Sequence, residues 1–241
     1  MQKQGNNSSF KPKLQKAKAK FFKTYYSNPA KDLKIIAVTG EKGRDITAHY
    51  IHEILKTRDS QTGLIIDPTS TSSLYKQLFK IWKTGTNYAV VSVAASGLAN
   101  HLFYGMPIYA AVITDNLSPD SDSSLNRKED SEAKAILFNK EPFFSIINRD
   151  DVNYSFFAKY KTKTATLSYG TDRDADLRIN RSKLYKLGTE ANLSYKAEKF
   201  DVATFIVGEE AVNYMAAAAL TAFACELGSD AIVDGIANYE D

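Results

Sequence analysis

The feature that most constrains the fold is a regular alternation of short apolar runs with stretches of helical period. The apolar runs predict buried strands, each bounded by turn-forming residues, at residues 33–38, 64–66, 88–93, 109–113 and 143–147. Between them, apolar residues that recur every three or four positions predict helices at residues 47–56, 72–84 and 131–138. Strands that alternate with helices build a parallel sheet with helices on both faces, so we expect an α/β fold.

The pattern changes in the second half of the chain, where extended segments follow one another with little helix between them. These segments lie at residues 154–160, 164–169, 184–187, 193–197 and 203–207. They predict a smaller antiparallel sheet packed against the main one. A long alanine-rich helix is predicted from Ala211 to Leu227, ended by Gly228. The predicted fold class is therefore a three-layer, mostly parallel sheet with a P-loop-like turn and a small antiparallel region.

Length and composition restrict the class of protein. A chain of 241 residues with 44% hydrophobic and 24% charged residues can bury a real core, which excludes a fully disordered chain and a collagen-like repeat. No apolar stretch is long enough to cross a bilayer, and the N-terminus lacks a secretory signal, so we expect a soluble, cytoplasmic protein without a transmembrane segment. The single cysteine, Cys225, has an apolar helical setting and is expected to be a small buried hydrophobe.

The total charge of +3 hides a basic N-terminal arm. Residues 1–34 contain nine lysines and one acid, so the rest of the chain is net acidic. Within the arm we expect disorder at residues 2–9 and a short helix at 11–26. Such a basic, aromatic helix can contact nucleic acid or anionic lipid. We favour an arm whose Phe and Tyr side chains dock on the domain, with no specific nucleic-acid partner. The predicted organisation is an arm and one domain, at residues 1–30 and 31–241.

The turn between the first strand and the first helix has the position of a phosphate-binding loop. Gly40 and Gly43 form a strand-Gly-x-x-Gly-helix turn, where backbone N–H groups and the helix dipole converge on an anion. A phosphate loop also needs a lysine for the phosphates and a hydroxyl for Mg²⁺, but these positions hold Arg44 and Asp45. Asp45 could bind Mg²⁺ directly, although its carboxylate would mainly repel ATP. By itself, such a turn is more often structural than a nucleotide site.

The segment Pro29–Gly40 that leads into this turn resembles the entry to the central domain of the Mur ligases, most closely the MurE type. The resemblance continues in the family's order at Asp67–Pro68, Val91–Leu98, Thr114–Asp120, Glu132–Phe138, Ile147–Asp151, Ser168–Gly170 and Val212–Asn213. It covers about residues 20–237. It therefore implies a Mur-ligase-like central domain over nearly the whole chain.

The resemblance implies ATP and Mg²⁺ as cofactors, because Mur ligases use ATP to join an amino acid to a UDP-N-acetylmuramoyl peptide through an acyl-phosphate. Position by position, it assigns nucleotide binding to Gly40, Lys42, Gly43, Arg44, Asp45, Asn116, Asn148, Asp151 and Asn213. Asp45 and Asp120 are the weak candidates for metal binding. Lys134 matches the lysine that the family carbamylates to help position Mg²⁺, the alternative being an ordinary solvated helix lysine.

Some of these assignments have a plain structural alternative. Asn148 and Asp151 could simply form an Asp-rich turn after a strand, and Asn213 could be an N-terminal residue of the long helix. Two weaker patterns stand outside the resemblance. His49 and His52 lie three apart on one helical face, but no third metal ligand is placed to complete a site. An acidic loop at residues 116–130, together with Asp115, could hold a divalent cation, although a solvated loop is favoured.

Several positions depart from the family pattern, because they lack the charged or metal-binding side chain that the family has there. Ser92 and Ser96 stand where the family has a Mg²⁺ carboxylate and a histidine, and Ser121 replaces a metal-binding histidine. Together with Arg44 and Asp45 in the phosphate loop, these changes should leave little catalysis. The sugar-binding and C-terminal domains of a complete Mur ligase have no counterpart in the sequence, so we expect the isolated chain to be inactive.

Two functional classes remain open. The chain could be part of a ligase-type enzyme whose missing domains are supplied by a partner protein. It could instead be a non-catalytic pseudoenzyme that binds a nucleotide or a protein in a regulatory or scaffolding role.

Overall fold

The computed structural model describes residues 10–115 and 124–239, with side chains for 17–115 and 128–239. The strands are β1 Lys34–Thr39, β2 Gly63–Ile66, β3 Tyr88–Ser92, β4 Ala110–Ile113, β5 Phe144–Asn148, β6 Ala165–Gly170, β7 Leu177–Tyr185, β8 Gly188–Tyr195 and β9 Glu198–Thr204. The helices are α1 Phe10–Tyr25, α2 Arg44–Lys56, α3 Thr71–Trp82, α4 Ala95–Ala99, α5 Ser124–Phe138, α6 Tyr154–Ala158, α7 Glu210–Ala224 and α8 Ser229–Ala237. The disorder expected at residues 2–9, and the candidates Asn116, Asp120 and Ser121, lie outside the described residues.

The nine strands of the described residues form one sheet, in the order β2-β3-β1-β4-β5-β6-β7-β8-β9. Strands β1 to β6 are parallel, and β7 continues the parallel part by pairing Leu177 and Arg178 with the end of β6. Strands β7, β8 and β9 pair antiparallel. Because β1 lies between β3 and β4, the strand order reverses there. In open α/β sheets, ligands bind outside the carboxyl ends of the strands at such a reversal.

A hydrophobic core lies on each face of the sheet. Alternate residues of β1 divide between them: Ile36 and Val38 pack with α2, α7 and α8, whereas Ile35 and Ala37 pack with helices α3 to α6. Burial on both faces explains why the first strands are continuous apolar runs in the sequence. The three-layer fold class is thus confirmed, and the strands predicted for the first half form within one residue of their predicted bounds.

The structure corrects several predictions for connecting and extended segments. Residues 154–160 were expected to be extended but include helix α6, because a helical turn buries Phe157 against Phe138, with ring centroids 5.1 Å apart. The segment at 164–169 is extended as predicted, but it forms β6, a parallel strand of the main sheet and not part of an antiparallel one. The antiparallel region is present, but β7 to β9 extend that same sheet instead of packing against it as a second one. Residues 124–130 of the expected acidic loop belong to helix α5, which begins at Ser124.

The alanine-rich helix α7 ends before the predicted glycine. Glu226 has a left-handed φ of 64°. Its N–H donates to the carbonyl of Phe223, and the N–H of Leu227 donates to that of Ala222, each over 3.0 Å. This is the Schellman arrangement that closes a helix C-terminus. Gly228 is instead the extended residue that precedes α8. The glycine therefore begins the next helix and does not end α7.

Helix α1 in the basic arm packs on α3. Ala19 is buried, and the ring centroids of Tyr26 and Phe79 are 5.6 Å apart. The predicted docking of aromatic side chains therefore holds for Tyr26 and Phe22, whereas Phe21 and Tyr25 are exposed. Over residues 10–115 and 124–239, every helix is too short or too polar to span a membrane.

Candidate functional site

Five neighbouring strands deliver polar side chains to one edge of the sheet, because their carboxyl ends meet there. The side chains at or just beyond these ends are Thr39 of β1, Asp67 after β2, Ser92 of β3, Asp115 after β4 and Asn148 of β5. Helix α2 begins at Arg44, directly after the loop that follows β1. Its N-terminus therefore points at the same edge. The arrangement has the position and the polarity of an anion site.

The loop from Gly40 to Gly43 is held against β4 and α7. Gly43 has a φ of 68°, and a Cβ atom there would lie 1.9 Å from the ring of Tyr214. The hydroxyl of Thr114 donates to the carbonyl of Lys42 over 2.7 Å. The N–H of Glu41 donates to Oδ1 of Asp115, also over 2.7 Å. The glycine position is thus required both by the backbone conformation and by the close approach of α7.

Arg44 is committed to an ion pair within the protein. Its Nη2 donates to Oδ2 of Asp67, and its Nε lies 3.5 Å from Oδ1 of Asp45. The other oxygen of Asp67 accepts the N–H of Ala94 over 3.0 Å. One carboxylate therefore fixes both the arginine and the segment that follows β3. The cation at the phosphate-lysine position is neutralised by the protein itself.

Asp45 lies in the first turn of α2 and accepts a hydrogen bond from the hydroxyl of Ser92. A carboxylate in this position is stabilised by the helix dipole. The same dipole attracts phosphate in a phosphate-binding loop. A side chain of the protein therefore supplies the anion at this helix N-terminus.

Lys134 is buried between two carboxylates, with 1% of the residue exposed. Its Nζ donates to Oδ2 of Asp115 over 2.6 Å and pairs with Asp130, one helical turn earlier. Burial alone lowers the pKa of this lysine, but the charges of Asp115 and Asp130 and the hydrogen bonds to them raise the pKa above its ordinary value. The amine is therefore a charged ammonium at neutral pH. The alternative of a solvated helix lysine is wrong, because the side chain is buried.

The other predicted nucleotide-binding residues lie around this centre. Lys42 forms an exposed ion pair with Glu210 over 3.0 Å. Oδ1 of the buried Asn148 accepts the N–H of Asp150 over 3.0 Å, while its Nδ2 has no hydrogen-bond partner within the described part of the chain. Asp151 accepts the N–H of Asn153 over 2.6 Å, so these residues do form the Asp-rich turn expected after β5. Asn213 is half-buried in the first turn of α7.

The two histidines on α2 do not form a metal pair. Both ring nitrogens of His52 are occupied, Nδ1 by Glu53 at 3.1 Å and Nε2 by the carbonyl of Thr62 at 3.0 Å. The ring of His49 packs on Tyr239 with centroids 5.0 Å apart. Among the residues that the structure describes, no group of His, Cys, Asp or Glu side chains is arranged to hold a metal ion.

Sequence reasoning identified Arg44 and Asp45 as unusual but missed the groups that pair with them. Asp67 and Ser92 come from other strands, so no local pattern marks them as partners. The pairing of Asp130 with Lys134 had a signal, because residues four apart on a helix face the same side.

A sequence profile of the Mur ligase middle domain matches residues 38–222, from the end of β1 to the last turns of α7. The match includes the loop after β1 and covers well over half of the chain. The chain belongs to the Mur ligase middle-domain family.

This Mur ligase middle domain is similar to relatives whose curated names are those of ligases or synthetases of UDP-N-acetylmuramoyl peptides. It is 27% identical over 235 residues to the UDP-N-acetylmuramoyl-L-alanyl-D-glutamate--2,6-diaminopimelate ligase of Bacillus licheniformis, covering 88% of this chain and 48% of the relative. It is 28% identical over 232 residues to UDP-N-acetylmuramyl-tripeptide synthetase 2 of Oceanobacillus iheyensis, covering 86% and 47%. The chain thus spans about half the length of the curated relatives it matches.

Solved structures share the fold. A UDP-N-acetylmuramoyl-L-alanyl-D-glutamate--2,6-diaminopimelate ligase superposes with a TM-score of 0.78 at 24% identity, over 94% of this chain and 50% of that chain. The apo form of L. casei FPGS superposes with a TM-score of 0.72 at 16% identity, over 99% of this chain and 68% of that chain.

The residues at the edge of the sheet do not fit the Mg·ATP that the family implies. A hard cation needs carboxylates with free oxygens, but Asp115 and Asp130 hold the ammonium of Lys134 and Asp45 accepts from Ser92. A triphosphate needs unpaired cations, but Arg44 is paired with Asp67. In this Mur ligase middle domain, both cations of the site, Arg44 and Lys134, are already paired with carboxylates of the protein, and the carboxylates outnumber them.

Proposed function

We propose that this chain is a catalytically degenerate Mur ligase middle domain, related to the ATP-dependent ligases that add an amino acid to UDP-N-acetylmuramoyl peptides. The observation that carries the proposal is the ion pair between Arg44 and Asp67, which occupies the cation at the phosphate-lysine position. The relatives' printed names support the substrate class, an acid that ends a nucleotide-linked peptide. Such a role also suits a cytoplasmic protein.

The energetics of phosphoryl transfer support the loss of catalysis. Charged groups that clamp the transferring phosphoryl group supply the largest part of the rate, and each one lost typically costs about 3–4 kcal/mol. In this chain a triphosphate would have to separate Arg44 from Asp67 and approach the carboxylate of Asp45. Several such penalties act together at one site, so the isolated chain should not form an acyl-phosphate. Taking part in a complete ligase reaction would then require a partner protein that supplies the missing charged groups.

A second candidate function is nucleotide binding without catalysis, and the buried amide of Asn148 favours it. Its Nδ2 has no hydrogen-bond partner in the described part of the chain. A buried donor without a partner costs about 1–3 kcal/mol. A hydrogen-bond acceptor on a bound nucleoside would pair with this N–H group and remove the cost of leaving it unsatisfied. This role needs neither Mg²⁺ nor a free phosphate site, so it is compatible with the ion pairs around Arg44.

Calorimetric titration of ATP, with and without Mg²⁺, tests the proposal. The wild-type chain should bind ATP weakly, with no gain from Mg²⁺. The double variant Arg44→Lys/Asp45→Thr restores the residue types of an active loop and frees Asp67. It should bind Mg·ATP at least about tenfold more tightly. Lys56→Arg/Glu53→Thr likewise exchanges the cation and removes the carboxylate of an ion pair, but at the opposite end of α2, and should behave as wild type.

Tight, Mg²⁺-dependent ATP binding by the wild-type chain would contradict the proposal. A parallel titration with adenosine distinguishes the second candidate. Saturable, Mg²⁺-independent adenosine binding that is lost in Asn148→Leu would favour the nucleotide-binding role. Adenosine binding that survives this substitution would argue against it.

A further inference from the structure

Helix α1 carries a pair of large aromatic side chains on its outer face. Phe21 and Tyr25 are 62% and 69% exposed. They lie one helical turn apart, and their rings stack with centroids 5.9 Å apart and planes inclined by 17°. Two exposed aromatic rings in contact form a continuous apolar strip. Such strips on protein surfaces commonly mark interaction sites.

The outer strip is distinct from the apolar face that attaches α1 to the domain. Ala19, Phe22 and Tyr26 face α3, where Tyr26 meets Phe79 at 5.6 Å between ring centroids. Docking on the domain thus uses one side of the helix and leaves the other apolar side uncovered. In the sequence, the helical period of Phe21 continues towards the N-terminus through positions 17, 14 and 10, which are Ala, Leu and Phe. The sequence therefore repeats the spacing of Phe21 with apolar residues back to position 10.

Lysines accompany this apolar strip. Helix α1 contains six lysines and no acidic residue. Lys18 and Lys20 are exposed and fall on opposite sides of Phe21 in the helical period. The rest of the chain is net acidic, so the positive charge is concentrated on this helix. The outer face of α1 thus combines exposed rings with flanking cations.

We propose that the outer face of α1 docks on the surface of an anionic lipid membrane. Aromatic and aliphatic side chains of such a helix enter the boundary between headgroups and acyl chains, while lysines on either side contact the anionic headgroups. Each lysine near an anionic surface adds attraction that falls with ionic strength. The domain beneath α1 is held by Phe22 and Tyr26, so it would be carried to the membrane as one body with the helix.

Two observations favour lipid over nucleic acid as the partner. Proteins that hold single strands stack bases on open aromatic faces, but Phe21 and Tyr25 stack on each other. Phosphate recognition in nucleic acids relies heavily on arginine, but all nine basic residues of residues 1–34 are lysines. An apolar strip flanked by lysines is the pattern of an interfacial helix.

Vesicle co-sedimentation of the full chain tests this surface. The vesicles contain either phosphatidylcholine alone or phosphatidylcholine with about 30% phosphatidylglycerol, at about 0.1 and 0.5 M salt. The wild-type chain should sediment with the anionic vesicles only, and less at the higher salt. Phe21→Ser/Tyr25→Ser keeps every lysine and should weaken the partition at least about tenfold. Both positions are exposed, so circular dichroism and thermal unfolding should match wild type.

The matched control removes exposed apolar groups elsewhere. Leu187 and Phe205 are 81% and 62% exposed at the far end of the antiparallel strands, and Leu187→Ser/Phe205→Ser should leave vesicle binding unchanged. Absence of wild-type binding to the anionic vesicles would overturn the proposal, as would equal losses in the two double variants. Binding to poly(U) at equal phosphate concentration that exceeds vesicle binding, and that Phe21→Ser/Tyr25→Ser retains, would overturn it in favour of nucleic acid.

Discussion

At the scale of single residues, the main finding is a lysine ammonium surrounded by carboxylates at the carboxyl edge of the sheet. Lys134 on α5 binds Asp115, and Asp115 also accepts the N–H of Glu41 in the loop after β1. One buried carboxylate therefore links α5 to the loop. The ammonium is thus compensated within the protein, by two carboxylates for one positive charge. A buried pair of this kind depends strongly on both partners.

Replacing Lys134 by methionine tests how much this pair matters. The substitution leaves Asp115 buried with an uncompensated charge, so the free energy of unfolding should fall by about 3–5 kcal/mol. Urea denaturation at neutral pH measures it. Lys56→Met is the matched control, because Lys56 pairs with Glu53 at the surface over 2.8 Å, and its loss should cost at most about 1 kcal/mol. Equal losses of unfolding free energy in the two variants would show that the buried pair contributes no more to stability than the surface pair.

The modification state of Lys134 is a separate prediction at this scale. Only a neutral amine reacts with carbon dioxide, and the carboxylates of Asp115 and Asp130 keep this amine protonated by raising its pKa. We therefore expect no carbamate on Lys134 at neutral pH. Carbon-13 NMR of the protein in labelled bicarbonate measures it directly. A carbamate carbonyl signal that disappears in Lys134→Met would contradict the expectation.

The sequence allowed part of the site to be predicted at this scale. Arg44 and Asp45 stood out because the loop places them where a lysine and a hydroxyl are needed. Their partners Asp67 and Ser92 could not be found in the same way, because the contacts depend on strands β2 and β3 lying next to each other. Whether a charged residue is free for a ligand is decided by such contacts. The residue type alone does not determine it.

At the scale of elements, the turn between β1 and α2 is defined by how closely α7 approaches it. Gly43 has a left-handed φ and faces the ring of Tyr214. Gly85, in the turn after α3, also has a positive φ, of 84°, but a Cβ atom there would meet nothing within 4 Å. A side chain at Gly85 would therefore meet backbone strain alone, whereas a side chain at Gly43 would meet backbone strain and a steric overlap with Tyr214.

Gly43→Ala and Gly85→Ala should differ for this reason. Gly85→Ala should cost about 1 kcal/mol of unfolding free energy, because only the backbone is strained. Gly43→Ala should cost at least about 2 kcal/mol more, since the methyl group must displace the Tyr214 ring or the loop. Chemical denaturation of both variants measures the difference. Similar costs would show that the contact with α7 does not constrain the loop.

Elements with a strong apolar pattern could be predicted from the sequence. Elements whose conformation or pairing depends on contacts with residues far away in the chain could not. Strands β1 to β5 are buried on both faces, and their apolar runs mark them. The aromatic segment that forms α6 has residues that favour strands, but its helical turn is fixed by packing of Phe157 on Phe138. The attachment of β7 to β6 involves only Leu177 and Arg178 of β7. No local pattern could show that the antiparallel strands would extend the main sheet.

At the scale of the whole molecule, buried neutral groups make the fold sensitive to alkali. Burial raises the pKa of the Cys225 thiol from 9.0 to about 12, despite the nearby charges of Lys34 and Arg58. Burial likewise raises the pKa of Tyr109 from 10.0 to about 12, and its hydroxyl donates to the carbonyl of Ala224 over 3.2 Å. The unfolded chain loses the thiol proton above about pH 9 and the phenol proton above about pH 10, whereas the folded chain keeps both. The unfolded state is therefore favoured increasingly as the pH rises.

The free energy of unfolding should consequently fall between pH 9 and pH 12. A fully buried thiol contributes a slope of about 1.4 kcal/mol per pH unit in this range. Denaturation curves at several pH values measure the slope. Cys225→Ala has no thiol to ionise, so its stability should fall less steeply between pH 9 and pH 10, whatever its stability at neutral pH. Parallel slopes for the variant and the wild type would contradict this account.

The central position of β1 has a consequence for how the chain acquires its structure. β1 is made first, but its two neighbours in the sheet are β3 and β4, and β2 joins only at the outer side of β3. As the chain leaves the ribosome, this apolar strand has no partner until β3 emerges, and its second edge stays open until β4 follows. Strand pairings between distant segments form slowly, and until they form, the apolar side chains and unpaired backbone of the strand stay exposed and prone to aggregation. Strand β1, which lies between β3 and β4 in the folded sheet, is therefore the strand whose two edges stay unpaired longest during synthesis.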